Sequence, residues 1–300
     1  MDVMLQITLG AISLGLLWAV MTIGVYITYR ILDIADLTVE GSIAMGAAIA
    51  SQAITSGINP YAATGLALLG GMAAGLVTGI LHTKLKIPAL LSGILTMIAL
   101  YSVNLHILGR ANLSLLRMKT VYTFFQGLGL DLIGSTIILG AIIVMVIIGI
   151  LYWFFGTEIG CAIRATGNNP HMVRAQGINT NITKILGLVI SNGLVAISGA
   201  LIAQSQSFAD VQMGTGSIVI GLASVIIGEV LFGKKSFLSK LIALALGAIT
   251  YRIIIALVLK MGMPANDLKL FTAITVAVAL ALPVIRAFIH PVKITIKEDE

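Results

Sequence analysis

Charge and cysteine are what this 300-residue sequence has least of. Only 10% of its side chains are charged and 58% are hydrophobic, where soluble domains average about 25% and about 45–50%. That scarcity of charge excludes an ordinary soluble domain, a disordered chain and a coiled coil, and it puts the protein in a membrane. The single cysteine, Cys161, excludes an internal disulfide framework and any cysteine-based zinc site. Basic residues outnumber acidic ones 18 to 12, but they are scattered, so nothing implies a nucleic-acid partner. Glycine, by contrast, is plentiful at 32 residues, which suits helices that approach one another closely.

A spanning helix needs about 20 mostly apolar residues. Nine stretches qualify or nearly do: Gln6 to Tyr29, Leu37 to Ser56, Tyr61 to Leu81, Ile87 to Leu108, Leu132 to Phe155, Ile185 to Gln204, Ile218 to Phe232, Phe237 to Leu259 and Leu270 to Ile289. The expected fold is an all-α polytopic bundle with about 8–10 transmembrane segments, forming a single domain over residues 1–300. Ile218 to Phe232 is short, and Leu37 to Ser56 carries Glu40, Gly41, Ser42 and Gly46. Both read as broken or re-entrant helices. The repeat Gly71, Gly75, Gly79 is a doubled small-xxx-small pattern, expected to pack against a helix of this subunit or at a dimer seam.

Orientation follows from where Lys and Arg fall, because cytoplasmic loops keep positive charge. With the long loop at residues 156–184 placed inside, twelve of the 18 basic residues face the cytoplasm and five face outward; Arg252 lies within a segment. The C-terminus is then cytoplasmic and the N-terminus outside. Asp2 stands where a signal peptide has its basic start, so no cleaved leader is expected. The outer stretch Gly109 to Asp131 is too short for an independent core.

The loop at 156–184 contains a short helix with both ends marked. Asn169 can cap it, Pro170 suits its first position, and Gly177 can end it in a left-handed conformation. Two turns are too few to stand alone in water, so the helix must pack on this chain or on another protein. Met172, Val173 and Ala175 offer apolar contact, and Arg164, His171 and Arg174 surround it with positive charge. Two readings stay open: a structured connector, or a docking element that passes force between a cytoplasmic motor and the membrane.

The stretch IRATGNNPHMVRAQGIN, followed by LVISNGLVAISGALIAQ and SIVIGLASVIIGE, resembles the permease subunits of bacterial ATP-binding-cassette importers, in the superfamily of branched-chain amino-acid and ribose permeases. DLTVEGSIAMGAAIA, from Asp36 to Ala50, resembles a segment of that superfamily's sugar permeases, and MGMPANDLKLFTAITVAVALALP resembles one branch of it. The resemblance implies that the loop carries a coupling helix seated on an ATP-binding subunit, with Ala165, Thr166, Gly167, Asn168, Asn169, Pro170, His171, Arg174 and Gly177 as contacts. It also implies a second permease copy, most simply as a homodimer, and an extracytoplasmic solute-binding protein in a bacterial inner membrane. ATP and magnesium would be held by the partner and no cofactor by this chain.

Gly228 to Lys235 nearly matches a phosphate loop, but Lys235 replaces the Ser or Thr that holds magnesium and the flanks are membrane segments, so no nucleotide site is expected here. Ionisable residues inside spans are costly and usually functional. Glu40, Glu229 and Arg252 are those residues, and an interfacial structural role suits Glu229. Arg252 could sit in an ion pair or receive a substrate carboxylate bidentately, and a broken segment at Glu40 could bring the two together. With Ser42, Asn104 and Asn192 they form the candidate translocation path; His106 is a further polar position. No nucleophile-base constellation, metal spacing or cofactor motif survives its context, so this chain is not expected to be an enzyme. An amino acid is the favoured substrate, an aromatic one in the narrower reading, with nucleoside or sugar transport and an ion-driven secondary transporter as rivals.

Overall fold

The computed structural model describes residues 3–233, 236–260, 270–274, 277–278 and 281. Six helices are long and apolar enough to cross a membrane. They are α1 (Val3–Tyr26, continued by a π-helical turn, Ile27–Ile31), α3 (Pro60–Thr83), α4 (Ala89–Leu108), α6 (Leu132–Phe155), α9 (Thr180–Gln206) and α11 (Phe237–Lys260). Two shorter apolar helices join them, α2 (Thr38–Thr55) and α10 (Ser217–Phe232). The protein is therefore a polytopic helical bundle. Eight of the nine stretches expected from sequence are helices; the ninth, at 270–289, lies mostly outside the described residues.

Local chemistry sets the helix ends. Asn59 caps α3 by accepting from Tyr61 N, with Pro60 at the first position, and Asp131 caps α6 by accepting from Gly134 N. Gly109, at φ 67°, closes α4 in the left-handed region that favours glycine.

Helix α9 is the centre of the bundle, with α1, α2 and α3 around it. Ser198 and Ser191 donate to Leu17 O (2.8 Å) and Gly24 O (2.7 Å), which aligns α1 antiparallel to α9. The glycine stripe of α3 faces α9 inside the subunit: a Cβ at Gly71 would overlap the Asn192 carbonyl, and one at Gly75 the Leu188 carbonyl. Replacing Gly75 by leucine therefore forces two helix backbones apart. The expected result is loss of about 3 kcal/mol or more and little monodisperse protein on size exclusion after detergent extraction; a wild-type profile and thermal midpoint would disprove the close contact.

At one end of the bundle lie α7 (Glu158–Asn168) and α8 (Pro170–Ala175), against the end of α1 and the starts of α9 and α11. Phe155 and Phe237 meet there at 5.4 Å, and Arg164 stacks over Phe237 at 5.0 Å. At the other end a two-stranded antiparallel sheet pairs β1 (Asn112–Ser114) with β2 (Phe208–Asp210), Leu113 opposite Ala209. Beside it is the short helix α5 (Thr123–Gln126). The segment at 109–131 is thus stapled to the bundle: Tyr122 is fully buried and donates to Leu201 O (3.0 Å), and burial pushes its phenol far above its ordinary range.

Candidate functional site

The two short helices define the interior. Helix α2 does not begin at a bundle end. Asp36, just before it, accepts from Thr38 N at Oδ1 (2.9 Å) and from Asn192 Nδ2 at Oδ2 (2.7 Å). Asn192 lies twelve residues into α9, about 18 Å from its start at ~1.5 Å per residue. So α2 starts deep in the bundle, with Asp36 at the positive end of that helix. Ser42, one turn on, donates to Asn192 Oδ1 (2.7 Å), and the hydroxyls of Thr38, Thr78 and Thr96 continue the network at 2.7 and 2.9 Å. Asp36 is almost fully buried.

Helix α10 also starts in the interior. Gly216, immediately before it, donates its N–H to Glu40 Oε1 (3.0 Å), so the first turn of α2 and the first turn of α10 meet at that carboxylate. Beside this junction, between α2 and α4, is a cavity of about 390 Å³. Glu40, Met97, Tyr101, Ser102, Asn104 and Thr215 are among its lining residues. Asn104 Nδ2 donates to Gly41 O (3.2 Å), while its buried Oδ1 has no partner among the described residues. Glu40 therefore lines a cavity that also presents an aromatic ring and a thioether. That is a site for a hydrogen-bond donor, cationic at one end and apolar at the other.

Four of the five path candidates, Glu40, Ser42, Asn104 and Asn192, come together here. Arg252 lies elsewhere, stacked on Trp18 at 4.2 Å where α11 packs on α1, and it does not meet Glu40. The physical reason is register: α11 runs beside α1, and Arg252 in that alignment faces the Trp18 indole, the π surface that best accommodates a guanidinium. His106 lies on α4, its Nδ1 2.8 Å from Ser102 O. Glu229, near the α7 end, pairs with Arg30 of the π-helical turn. The phosphate-loop lookalike is a helix from Gly228 to Phe232; Lys234 and Lys235 lie outside the described residues.

The second candidate surface is the α7–α8 end. Asn169 Oδ1 accepts from His171 N (3.1 Å) and Met172 N (3.0 Å), Pro170 opens α8, and Gly177 follows it at φ +83°. The residues split between two faces. Thr166 is buried, 2.8 Å from the Thr183 hydroxyl, and a Cβ on Gly167 would overlap the Ile31 carbonyl. Val173 is buried, whereas Met172 faces outward. Asn168, Asn169, His171, Arg174 and Gly177 are exposed, with Ala165 and Pro170 partly so; Arg174 Nε donates to Thr180 Oγ1 (2.7 Å).

The sequence family described as "Branched-chain amino acid transport system / permease component" matches residues 7–282. The chain belongs to that permease family. A "Tyrosine transport system permease protein" of Clostridioides difficile is 44% identical over 91% of this chain and 90% of its own. An "Uncharacterized protein RP368" of Rickettsia prowazekii is 34% identical over 92% and 98%. The "Autoinducer 2 import system permease protein LsrC" of Yersinia pseudotuberculosis is 29% identical over 65% and 54%. No solved structure matches. Members of this family are membrane subunits of transport systems rather than enzymes, and the permease is a multi-pass protein of the bacterial inner membrane.

Sequence reading missed Asp36 as a buried ionisable group, although Asp-x-Thr ahead of an apolar helix is the pattern of a side chain capping a backbone N–H. It also missed α7, whose start is marked by Thr157, which accepts from Gly160 N, and by Glu158 in the first turn.

Proposed function

We propose that the permease is the membrane subunit of an ATP-binding-cassette importer that carries an amino acid with an aromatic side chain. The observation that carries this reading is the cavity at the α2–α10 junction. Glu40 suits an α-ammonium group, and Tyr101 with Met97 suits an aromatic side chain. The tyrosine-transport name of one relative supports it. The cavity lies on the outward face of α4, which is exposed at Ile98 and Tyr101, so a second permease copy would enclose it. Residues 165–177 dock an ATP-binding subunit, a solute-binding protein delivers substrate at the opposite end, and the C-terminus is cytoplasmic.

The test is uptake of labelled tyrosine by proteoliposomes containing the permease, its ATP-binding subunit and its binding protein. Unlabelled phenylalanine and tryptophan should compete and ribose should not. Ribose competition without phenylalanine competition would indicate a sugar carrier. Uptake driven by an ion gradient without ATP hydrolysis would indicate a secondary transporter. Glu40→Gln removes a charge-assisted contact and should lower uptake kcat/KM about tenfold or more, chiefly through KM. Unchanged KM in that variant would remove Glu40 from the path.

A further inference from the structure

The bundle has a second cavity, which shares only Arg174 with the proposed docking face. It lies where the end of α3, the start of α4 and the start of α9 meet beside α8, and its volume is about 550 Å³. Its walls carry Lys86, Arg174, Lys184 and His82, with no carboxylate among the described lining residues. His82 Nδ1 lies 3.0 Å from Ile87 O, which makes it the donor nitrogen and leaves Nε2 as an acceptor for the Lys184 ammonium at 3.4 Å. His82 thus orients Lys184 without neutralising it. Arg174 is held in the wall through Nε by Thr180. The 27-residue helix α9 begins in the same cavity, which adds its positive end.

Lys86, Arg174 and Lys184 share one concavity with no acid among its described lining residues, and their mutual repulsion is relieved by an anion between them. The surroundings indicate what carries that anion. Leu85 is 63% exposed beside Lys86, and Ile182 is 55% exposed beside the Lys184 turn. A free anion gains nothing from exposed leucine and isoleucine, whereas a lipid presents a phosphate and an acyl chain together. Lys184 is also only four residues into a spanning helix, the depth of a headgroup.

We propose that this cavity is a binding site for the phosphate headgroup of an acidic phospholipid, with Lys86 and Lys184 on the phosphate and Leu85 and Ile182 against the acyl chains. Basic pockets between membrane helices take such headgroups, each cation near the surface contributing about 1 kcal/mol.

Native mass spectrometry of the full chain in detergent, titrated with phosphatidylglycerol or phosphatidylcholine, tests the site. Phosphatidylglycerol should be retained in preference, and Lys86→Gln with Lys184→Gln should weaken its retention about fivefold per lysine lost. The Lys86→Arg and Lys184→Arg pair should keep it, which separates loss of charge from loss of fold. Lys119→Gln, at the β1 end, should change nothing. Equal retention of the two lipids, or unaltered retention in the glutamine pair, overturns the proposal. So does displacement of phosphatidylglycerol by an equal concentration of inorganic phosphate, which marks a free-anion site. Displacement by added ATP-binding subunit marks an acidic protein contact and overturns it equally.

Discussion

Asp36→Ala is expected to abolish uptake and to destabilise the permease by about 2–6 kcal/mol. The carboxylate accepts from two donors, Thr38 N and Asn192 Nδ2. Alanine leaves the Thr38 N–H and one of the two Asn192 Nδ2 hydrogens unpaired in the interior, the other keeping Leu188 O (3.0 Å), and each buried orphan costs about 1–3 kcal/mol. The consequence extends beyond stability, because these two bonds hold the first turn of α2 at the level of Asn192. Glu40 and Gly41 follow directly in that turn, and with them the contacts to Gly216 and Asn104. Asp36→Asn keeps the shape and one acceptor, so it should retain more of the thermal midpoint than alanine while still losing uptake. A scan of thermal midpoint alongside labelled-substrate uptake separates the two effects. Wild-type values of both in Asp36→Ala would remove the network from any role.

Gly167→Val should sever transport from ATP hydrolysis. Glycine is needed there because a Cβ would overlap Ile31 O and come close to Leu32 Cα, so α7 can lie on the π-helical end of α1 only at this residue. Valine displaces α7 from that seat, at a cost of about 1–3 kcal/mol for overpacking. The connection from the docking surface to α1, and through Arg30 to Glu229 of α10, is then lost at its first contact. Proteoliposomes should insert the variant, hydrolyse ATP through the partner subunit, and take up substrate at no more than about a tenth of the wild-type rate, the effect of some 1.4 kcal/mol or more. Arg174→Glu makes the complementary change, since it reverses charge on the exposed face while α7 keeps its seat. Its defect should appear as weakened binding of the ATP-binding subunit rather than as idle hydrolysis. Coupled uptake at the wild-type rate in both variants would refute the docking assignment.

The comparison of Glu40 with Arg252 shows which features were legible beforehand. Both stood out in the sequence as charges inside apolar stretches, because the cost of burying a charge depends on residue type and hydrophobic context alone. Their roles differ for reasons that no spacing rule contains. Glu40 meets a backbone N–H 176 positions away at the start of α10, and Arg252 meets an indole across the α1–α11 contact. Arg30 and Glu229, paired across 199 positions, are a further instance. The glycine stripe of α3 was legible as a close-packing surface, yet its partner was open between this subunit and a second copy until Asn192 and Leu188 proved to face it.

What the sequence determined by itself is everything that depends on neighbours along the chain. Too few charges and runs of about 20 apolar residues require a membrane bundle. Asn169, Pro170 and Gly177 require a short capped helix because capping is settled within three or four residues. The tertiary structure decided the depth at which α2 and α10 begin and which polar groups share a cavity. Those depend on how helices distant in sequence slide past one another. That register is set by the fit of glycine faces to carbonyls and of buried donors to acceptors, and both become defined only when the bundle closes.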